Sequence, residues 1–171
     1  AGKTRVIEPK PTRDHTELML RHFGAKVVVK SLSNGSCAVT VQGQPELSAR
    51  DVTIPGDISS AAFPMAAALL VPGSKVIIKG VGINPLRAGL IETLKEMGGA
   101  ITLENFCIES GEPVADLLVE GSSLQGITVG SDRAPSMIDE YPVLAVCASC
   151  AKGTTRLEGL SELRVKESDR L

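Results

Sequence analysis

The stretch Phe63-Pro-Met-Ala-Ala-Ala-Leu-Leu-Val71 is apolar on every side of a helix, and it recurs as Tyr141-Pro-Val-Leu-Ala-Val-Cys-Ala-Ser149. Each copy leads through a glycine turn into a β-rich segment, at residues 73–80 and 153–159. A helix without a polar face has to be covered on all sides. The recurrence therefore predicts two central helices in a domain that is built from repeats.

A second pair of segments, residues 12–24 and 86–98, has apolar residues at helical spacing and ends in a glycine. A strand-like run follows each segment. The two pairs together predict a repeat of strand, buried helix, strand, amphipathic helix, strand and strand. The fold class that follows is α/β (α+β), with sheets packed around helices.

On this template the chain holds the end of one repeat (residues 1 to about 50), a whole repeat (about 51–124) and the opening of a third (about 125–171). Pro55-Gly-Asp57 reads as a turn and a helix cap, so we expect one domain to end at residue 54 and another to occupy 55–171. Asn34-Gly35 predicts a hairpin turn. Incomplete repeats would leave apolar surface exposed, which indicates a piece of a longer protein.

Composition excludes several classes of function. The net charge is −2 and aromatic residues make up 2%, which argues against a nucleic-acid partner. No apolar run approaches the roughly 20 residues that span a bilayer. Four scattered cysteines without a signal peptide favour a reducing compartment, and we expect the cytoplasm. Cys147-x-x-Cys150 lies in a small-residue run typical of a helix core, and neither His15 nor His22 has metal-ligand spacing.

Residues that break the repeat are candidates for function. Where the earlier copy of the apolar helix begins with Ala61-Ala62, the later copy begins with Asp139-Glu140. A carboxylate at a helix start is held in place to accept a proton or to bind hydroxyl groups. The alternative for Asp139 is a capping box with Ser136.

The segment Arg164-Val-Lys-Glu-Ser-Asp-Arg-Leu171 has five charged groups in eight residues. If a helix begins at Lys166, then Lys166 and Arg170 share one face, with Glu167 beside them. Two cations could hold a phosphate or carboxylate while the acid handles a proton. The alternative is a solvated helix start with local ion pairs.

Arg13, Arg87 and Lys166 stand at corresponding places before the predicted amphipathic helices. A cation there opposes the helix dipole, so its recurrence suggests an anion site rather than helix stability. For Arg13 the alternative is pairing with Asp14 or Glu17. For Arg87 the sequence neighbours offer no set of ligands, and we expect no functional role.

Four segments closely resemble the 5-enolpyruvylshikimate-3-phosphate synthase family in its bacterial class II form, whose members are often glyphosate-tolerant. They are Thr12-Arg-Asp-His-Thr-Glu17, Pro55-Gly-Asp-Ile-Ser-Ser60, Arg133-Ala-Pro-Ser-Met-Ile-Asp-Glu-Tyr-Pro142 and Arg164–Leu171. The resemblance implies a shikimate-pathway transferase that moves the enolpyruvyl group of phosphoenolpyruvate to the 5-hydroxyl of shikimate 3-phosphate. It also implies two domains of three repeats each, a β/α prism, no metal or organic cofactor, and a monomer when full length.

The same resemblance implies roles for individual residues. Asp139 would contact the shikimate hydroxyls and act as the general base, and Glu167 would protonate the methylene carbon of phosphoenolpyruvate. Lys166 would bind shikimate 3-phosphate and Arg170 would bind phosphoenolpyruvate. Arg13 would bind the shikimate phosphate from the opposing domain.

Two alternatives remain open at this point. The enolpyruvyl transferases that act on UDP-N-acetylglucosamine usually use a loop cysteine, whereas the cysteines here fall in predicted strands or in a buried helix. The other alternative is a folding or interaction fragment without turnover. For the isolated chain, which would need the missing segments of the same protein as partners, we expect this second description to hold.

Overall fold

The computed structural model describes residues 2–171, and each structural statement below refers to them. They form two compact units. Unit 1 contains the residues up to Ile54 together with Ile108–Glu112, and unit 2 contains Pro55–Cys107 and Pro113–Leu171.

Unit 1 is a three-stranded antiparallel sheet with one helix. Its elements are β1 (Lys3–Glu8), α1 (His15–His22), β2 (Val27–Ser31) and β3 (Cys37–Gln42), and the strand order is β1-β3-β2. The predicted hairpin turn between β2 and β3 is confirmed. Gly35 takes a φ of 80°, which glycine adopts without a Cβ clash, and the Asn34 side chain accepts hydrogen bonds from Ser36.

One face of this sheet is basic and concave. An open cavity of about 500 Å³ lies over Ala38 and Thr40 of the central strand. The cations that border it come from both sides of β3 and are Lys3, Arg5, Lys26 and Lys30. Because β1 and β2 are the edges of the sheet, charged side chains on them discourage pairing with other chains.

Unit 2 contains the apolar helices. Its elements are α2 (Ile58–Leu70), β4 (Lys75–Gly82), α3 (Gly89–Glu96), β5 (Ala100–Glu109), β6 (Glu112–Glu120), β7 (Thr128–Val129), α4 (Ala134–Met137), α5 (Tyr141–Cys150), β8 (Arg156–Leu157) and a 3₁₀ helix (Ser161–Val165). The last two residues of β5 and the first residue of β6 are counted with unit 1. One sheet has the order β4-β6-β5, and β7 pairs with β8 in parallel.

The predicted repeat is confirmed in most of its elements. Gly24 and Gly98 follow α1 and α3 with φ of 99° and 91°, and a strand comes after each. The strand expected at the start of the whole repeat is wrong, since Gly56 forms only a single bridge with Val81. Residues 51–54 are exposed and form no ladder in the described chain, and a strand needs a run of partner hydrogen bonds.

The helices α2 and α5 are buried on one side and open on the other. Met65 and Leu144 are fully buried, whereas Phe63 is 68% and Val146 54% exposed. An apolar groove of about 440 Å³ runs between the exposed sides of the two helices. This confirms the expectation that incomplete repeats leave apolar helix surface uncovered.

The cysteines lie where the sequence predicts them, in strands or in the apolar helix. Cys37 is in β3, Cys107 in β5, and Cys147 and Cys150 in α5. Burial raises the pKa of the Cys147 thiol to about 11, so this side chain stays neutral and packs as a small apolar group.

Asp57 is the N-cap of α2, as predicted. Its carboxylate accepts the backbone N–H groups of Ser59 and Ser60 at 3.1 and 2.9 Å. Partial burial would raise the pKa of Asp57, but the hydrogen bonds from Ser60 and Ser59 outweigh burial and hold the pKa below its ordinary value.

We expect Asp57→Ala to lower the free energy of unfolding by about 1 kcal/mol in urea denaturation at pH 7. A depressed pKa stabilises the fold above the unfolded-state pKa, near 3.8, and this contribution is lost as the pH falls through the folded-state pKa. The difference from the unmodified chain should therefore shrink below about pH 4. Asp51→Ala, an exposed acid outside any helix, is the control; an equal loss there would contradict the capping role.

Candidate active site

Asp139 and Glu140 lie in the short connection between α4 and α5. Met137 of α4 is fully buried and Glu140 is only 1% exposed, so the connection is held against the core. The capping-box alternative for Asp139 is wrong. Ser136 lies inside α4, where its hydroxyl donates to the Arg133 carbonyl, and α5 begins at Tyr141 without a side-chain cap.

Arg133, the residue before α4, ties the start of α4 to α3. Its guanidinium donates to both carboxylate oxygens of Glu96, at 2.6 and 2.8 Å, and to the Thr93 hydroxyl at 3.2 Å. The hydrogen bond to Glu96 raises the pKa of Arg133 and lowers that of Glu96, which keeps both groups charged. At Gly89, the first residue of α3, a Cβ atom would overlap the Ser136 side chain, so glycine permits this close approach.

Glu140 is a buried carboxylate that accepts hydrogen bonds from a charged guanidinium and from a neutral hydroxyl. Arg87 Nη1 donates to its two oxygens at 2.9 and 2.8 Å, and the Ser59 hydroxyl donates to Oε1 at 2.5 Å. Arg87 Nη2 also donates to the Ser59 hydroxyl. The sequence neighbours of Arg87 supply no partner, as expected, and its partner is instead a residue 53 positions away.

Asp139 is surrounded by three cations. Its Oδ1 lies 3.7 Å from Lys166 Nζ and 3.6 Å from an Arg170 guanidinium nitrogen, and its Oδ2 lies 4.0 Å from Arg87 Nη2. Asp139 is 31% exposed, and Lys166 and Arg170 are each 25% exposed. The structure thus brings together the acid and the two cations that the sequence singles out.

No helix begins at Lys166 in the described residues, so Lys166 and Arg170 do not share a helix face. The backbone of Lys166 is extended and ends the 3₁₀ helix, whose Leu163 is buried. The N–H of Arg170 donates to the Leu163 carbonyl at 3.0 Å, which closes a loop. The loop directs Lys166 and Arg170 towards Asp139 instead.

Glu167 belongs to the same loop but is more exposed, at 68%. Arg170 donates to its Oε1 from Nε at 3.0 Å and from Nη2 at 2.5 Å. The hydrogen bond from Arg170 holds the pKa of Glu167 below its ordinary value. Arg170 therefore contacts both acids of the cluster, and Lys166 additionally pairs with Glu162 at 3.2 Å.

Arg13 belongs to unit 1, where it is exposed in the segment before α1. The two histidines of α1 form hydrogen bonds in the same unit: His15 Nδ1 lies 2.7 Å from Glu112 Oε1, and His22 Nε2 lies 2.9 Å from the Asp51 carbonyl.

Within residues 2–171 no group of three His, Cys, Asp or Glu side chains could hold a metal ion. In the same range, every helix is too short or too polar to cross a membrane.

Glu140, Arg87 and Ser59 are the residues that sequence reasoning missed. One signal in the sequence pointed to a buried acid. Asp139 and Glu140 occupy the positions that match Ala61 and Ala62, and both alanines are buried. A carboxylate in such a place needs a countercharge. The sequence does not show which of several cations supplies it.

Comparison with known proteins identifies the relatives of this chain. A family profile described as EPSP synthase (3-phosphoshikimate 1-carboxyvinyltransferase) matches residues 1–171. Proteins named 3-phosphoshikimate 1-carboxyvinyltransferase from Granulibacter bethesdensis and Rhodospirillum rubrum are 60% and 61% identical over 171 and 170 residues. Each match covers 99% of this chain and 38% of the relative, so the chain spans less than half the length of these curated proteins.

Solved structures agree with this assignment. An EPSP synthase from Acinetobacter baumannii superposes with a TM-score of 0.89 at 49% identity, covering 99% of this chain and 37% of that one. The enolpyruvyl transferase NikO from Streptomyces tendae has a TM-score of 0.62 at 20% identity over 91% of this chain and 35% of its own, which supports the fold alone. The α/β architecture is part of an enolpyruvyl transferase fold, and the chain belongs to the EPSP synthase family.

Proposed function

We propose that this chain is part of an enzyme that transfers the enolpyruvyl group of phosphoenolpyruvate to the 5-hydroxyl of shikimate 3-phosphate and releases phosphate. The observation that carries the proposal is the position of Asp139 between Lys166 and Arg170, at 3.7 and 3.6 Å. A carboxylate beside two cations can take a proton from an alcohol while the cations bind the anionic substrates.

The addition step needs one proton removed from the alcohol and one delivered to carbon. We assign the first transfer to Asp139 and the second to Glu167. Because the hydrogen bond from Arg170 lowers the pKa of Glu167, this acid would have to exchange Arg170 for another partner before it delivers a proton. Phosphoenolpyruvate is an anion, so its binding to Arg170 would displace the Glu167 carboxylate from that guanidinium.

The cations of the cluster suit the charge of the substrates, which together carry two phosphates and a carboxylate. We assign shikimate 3-phosphate to Lys166 and phosphoenolpyruvate to Arg170, with Arg13 as a further phosphate ligand. The four cysteines are free thiols, which supports action in the cytoplasm. The UDP-N-acetylglucosamine enolpyruvyl transferases are the less favoured alternative, because the family profile that matches the whole chain is that of EPSP synthase.

The direct test uses a chimera in which residues 1–171 replace the matching segment of the Rhodospirillum rubrum relative, to which they are 61% identical. We expect the chimera to release phosphate from shikimate 3-phosphate and phosphoenolpyruvate, and the 171-residue chain alone to release none. A folded chimera without turnover would contradict the proposed function. Turnover by the chain alone would contradict the expectation that it needs the remaining segments.

Lys166→Ala in the chimera should weaken the binding of shikimate 3-phosphate by about tenfold to a hundredfold, because one charge-assisted hydrogen bond to phosphate is lost. Titration calorimetry measures the dissociation constant directly. Lys152→Ala, which removes an exposed lysine outside the cluster, is the matched control. Equal affinity of the Lys166 variant and the unmodified chimera would show that Lys166 is only a surface charge.

A further inference from the structure

Glu140 occupies a place that the repeat reserves for a small apolar residue. Its counterpart in the other copy of the apolar helix is Ala62, which is fully buried. A carboxylate at such a place costs stability unless it is paired and hydrogen-bonded. Packing of the repeat therefore does not explain why Glu140 is present.

The partners of Glu140 come from two other elements. Ser59 lies in the first turn of α2, and Arg87 lies in the segment that precedes α3. Arg87 Nη1 contacts both carboxylate oxygens and the Ser59 hydroxyl contacts one of them, so the carboxylate is held from two directions. The guanidinium is in turn held through Nη1 by both carboxylate oxygens and through Nη2 by the Ser59 hydroxyl, and it is only 12% exposed.

The same guanidinium reaches the neighbouring acid. Arg87 Nη2 is 4.0 Å from Asp139 Oδ2, whereas Lys166 and Arg170 are close to Oδ1. Those two cations lie on the loop and are about twice as exposed as Arg87. Of the three cations near Asp139, Arg87 is the one whose position is set by a buried partner.

We infer that Glu140 is a positioning residue for Asp139. Glu140 holds the Arg87 guanidinium in place and balances its charge, so that Arg87 orients the Asp139 carboxylate without drawing it away from the substrate hydroxyl. This inference rests on the proposed role of Asp139 as the base. Effects on geometry of this kind change the rate of the chemical step more than they change substrate binding.

The test is a double-mutant cycle in the chimera, with kcat and KM measured for both substrates. Glu140→Gln keeps the shape of the side chain and removes its charge. We expect it to lower kcat by about tenfold with little change in KM. In an Asp139→Asn background the same substitution should lower kcat by less than about twofold, because there is no longer a base to position.

A purely structural role would lower kcat by the same factor in both backgrounds, and that result, or an unchanged kcat, would overturn the inference. Denaturation curves establish that each variant is folded under assay conditions. If Glu140→Gln does not fold, Ser59→Ala, which removes one hydrogen bond to Glu140, decides by the same criteria. Failure of the proposed function is distinguishable, since it would appear as a folded chimera that has no turnover before any substitution is made, whereas full activity of Asp139→Asn would remove only the role of Asp139 as the base.

Discussion

Asp139→Asn in the chimera is expected to lower kcat by about 10²–10⁴-fold, the range that general base catalysis contributes. The amide keeps the size of the side chain but cannot take a proton from the substrate hydroxyl. Phosphate release under saturating concentrations of both substrates measures the effect. KM should change less than kcat, because the cations that bind the substrates remain.

The control for this substitution is Asp132→Asn, which changes an exposed aspartate a few residues earlier in the same unit. Its kcat should stay within about twofold of the unmodified chimera, as is usual for a group outside the reaction. A similar loss in both variants would point to damage to the whole segment rather than to a missing base. Full activity of the Asp139 variant would remove Asp139 from the mechanism.

Arg87→Ala should produce the largest loss of stability, about 3–5 kcal/mol in the free energy of unfolding of the 171-residue chain. The reason is the burial of Glu140, which is 1% exposed and would keep only the Ser59 hydroxyl among its present side-chain partners. An uncompensated charge in that place is costly. Urea denaturation followed by circular dichroism at neutral pH measures the change.

Arg133→Ala is the matched control, because it breaks a bidentate pair with the half-exposed Glu96. We expect a loss of about 1 kcal/mol or less there, since water can solvate the remaining carboxylate. The double substitution Arg87→Met with Glu140→Leu should recover most of the stability, because it removes both buried charges together. Equal losses for Arg87→Ala and Arg133→Ala would contradict this account of the buried pair.

The local pattern of apolar residues and glycines was sufficient to predict many of the helices and turns. The apolar stretches predicted α2 and α5, the helical spacing with a final glycine predicted α1 and α3, and Asn34-Gly35 predicted the hairpin. These features depend on interactions between residues a few positions apart, which sequence periodicity records. Local pattern did not show that the Lys166 backbone is extended or that the Arg170 N–H donates to the Leu163 carbonyl, so that these residues form a loop.

Some residues of the candidate site could also be predicted from the sequence, whereas their contacts could not. The break in the repeat was enough to single out Asp139, and the density of charge was enough to single out Lys166 and Arg170. Only the tertiary structure decided that these side chains meet, through a loop rather than a helix, and that Arg87 pairs with Glu140 across 53 residues. Sequence records which charges are present, whereas their pairing depends on how separate elements pack and which carboxylate that packing buries.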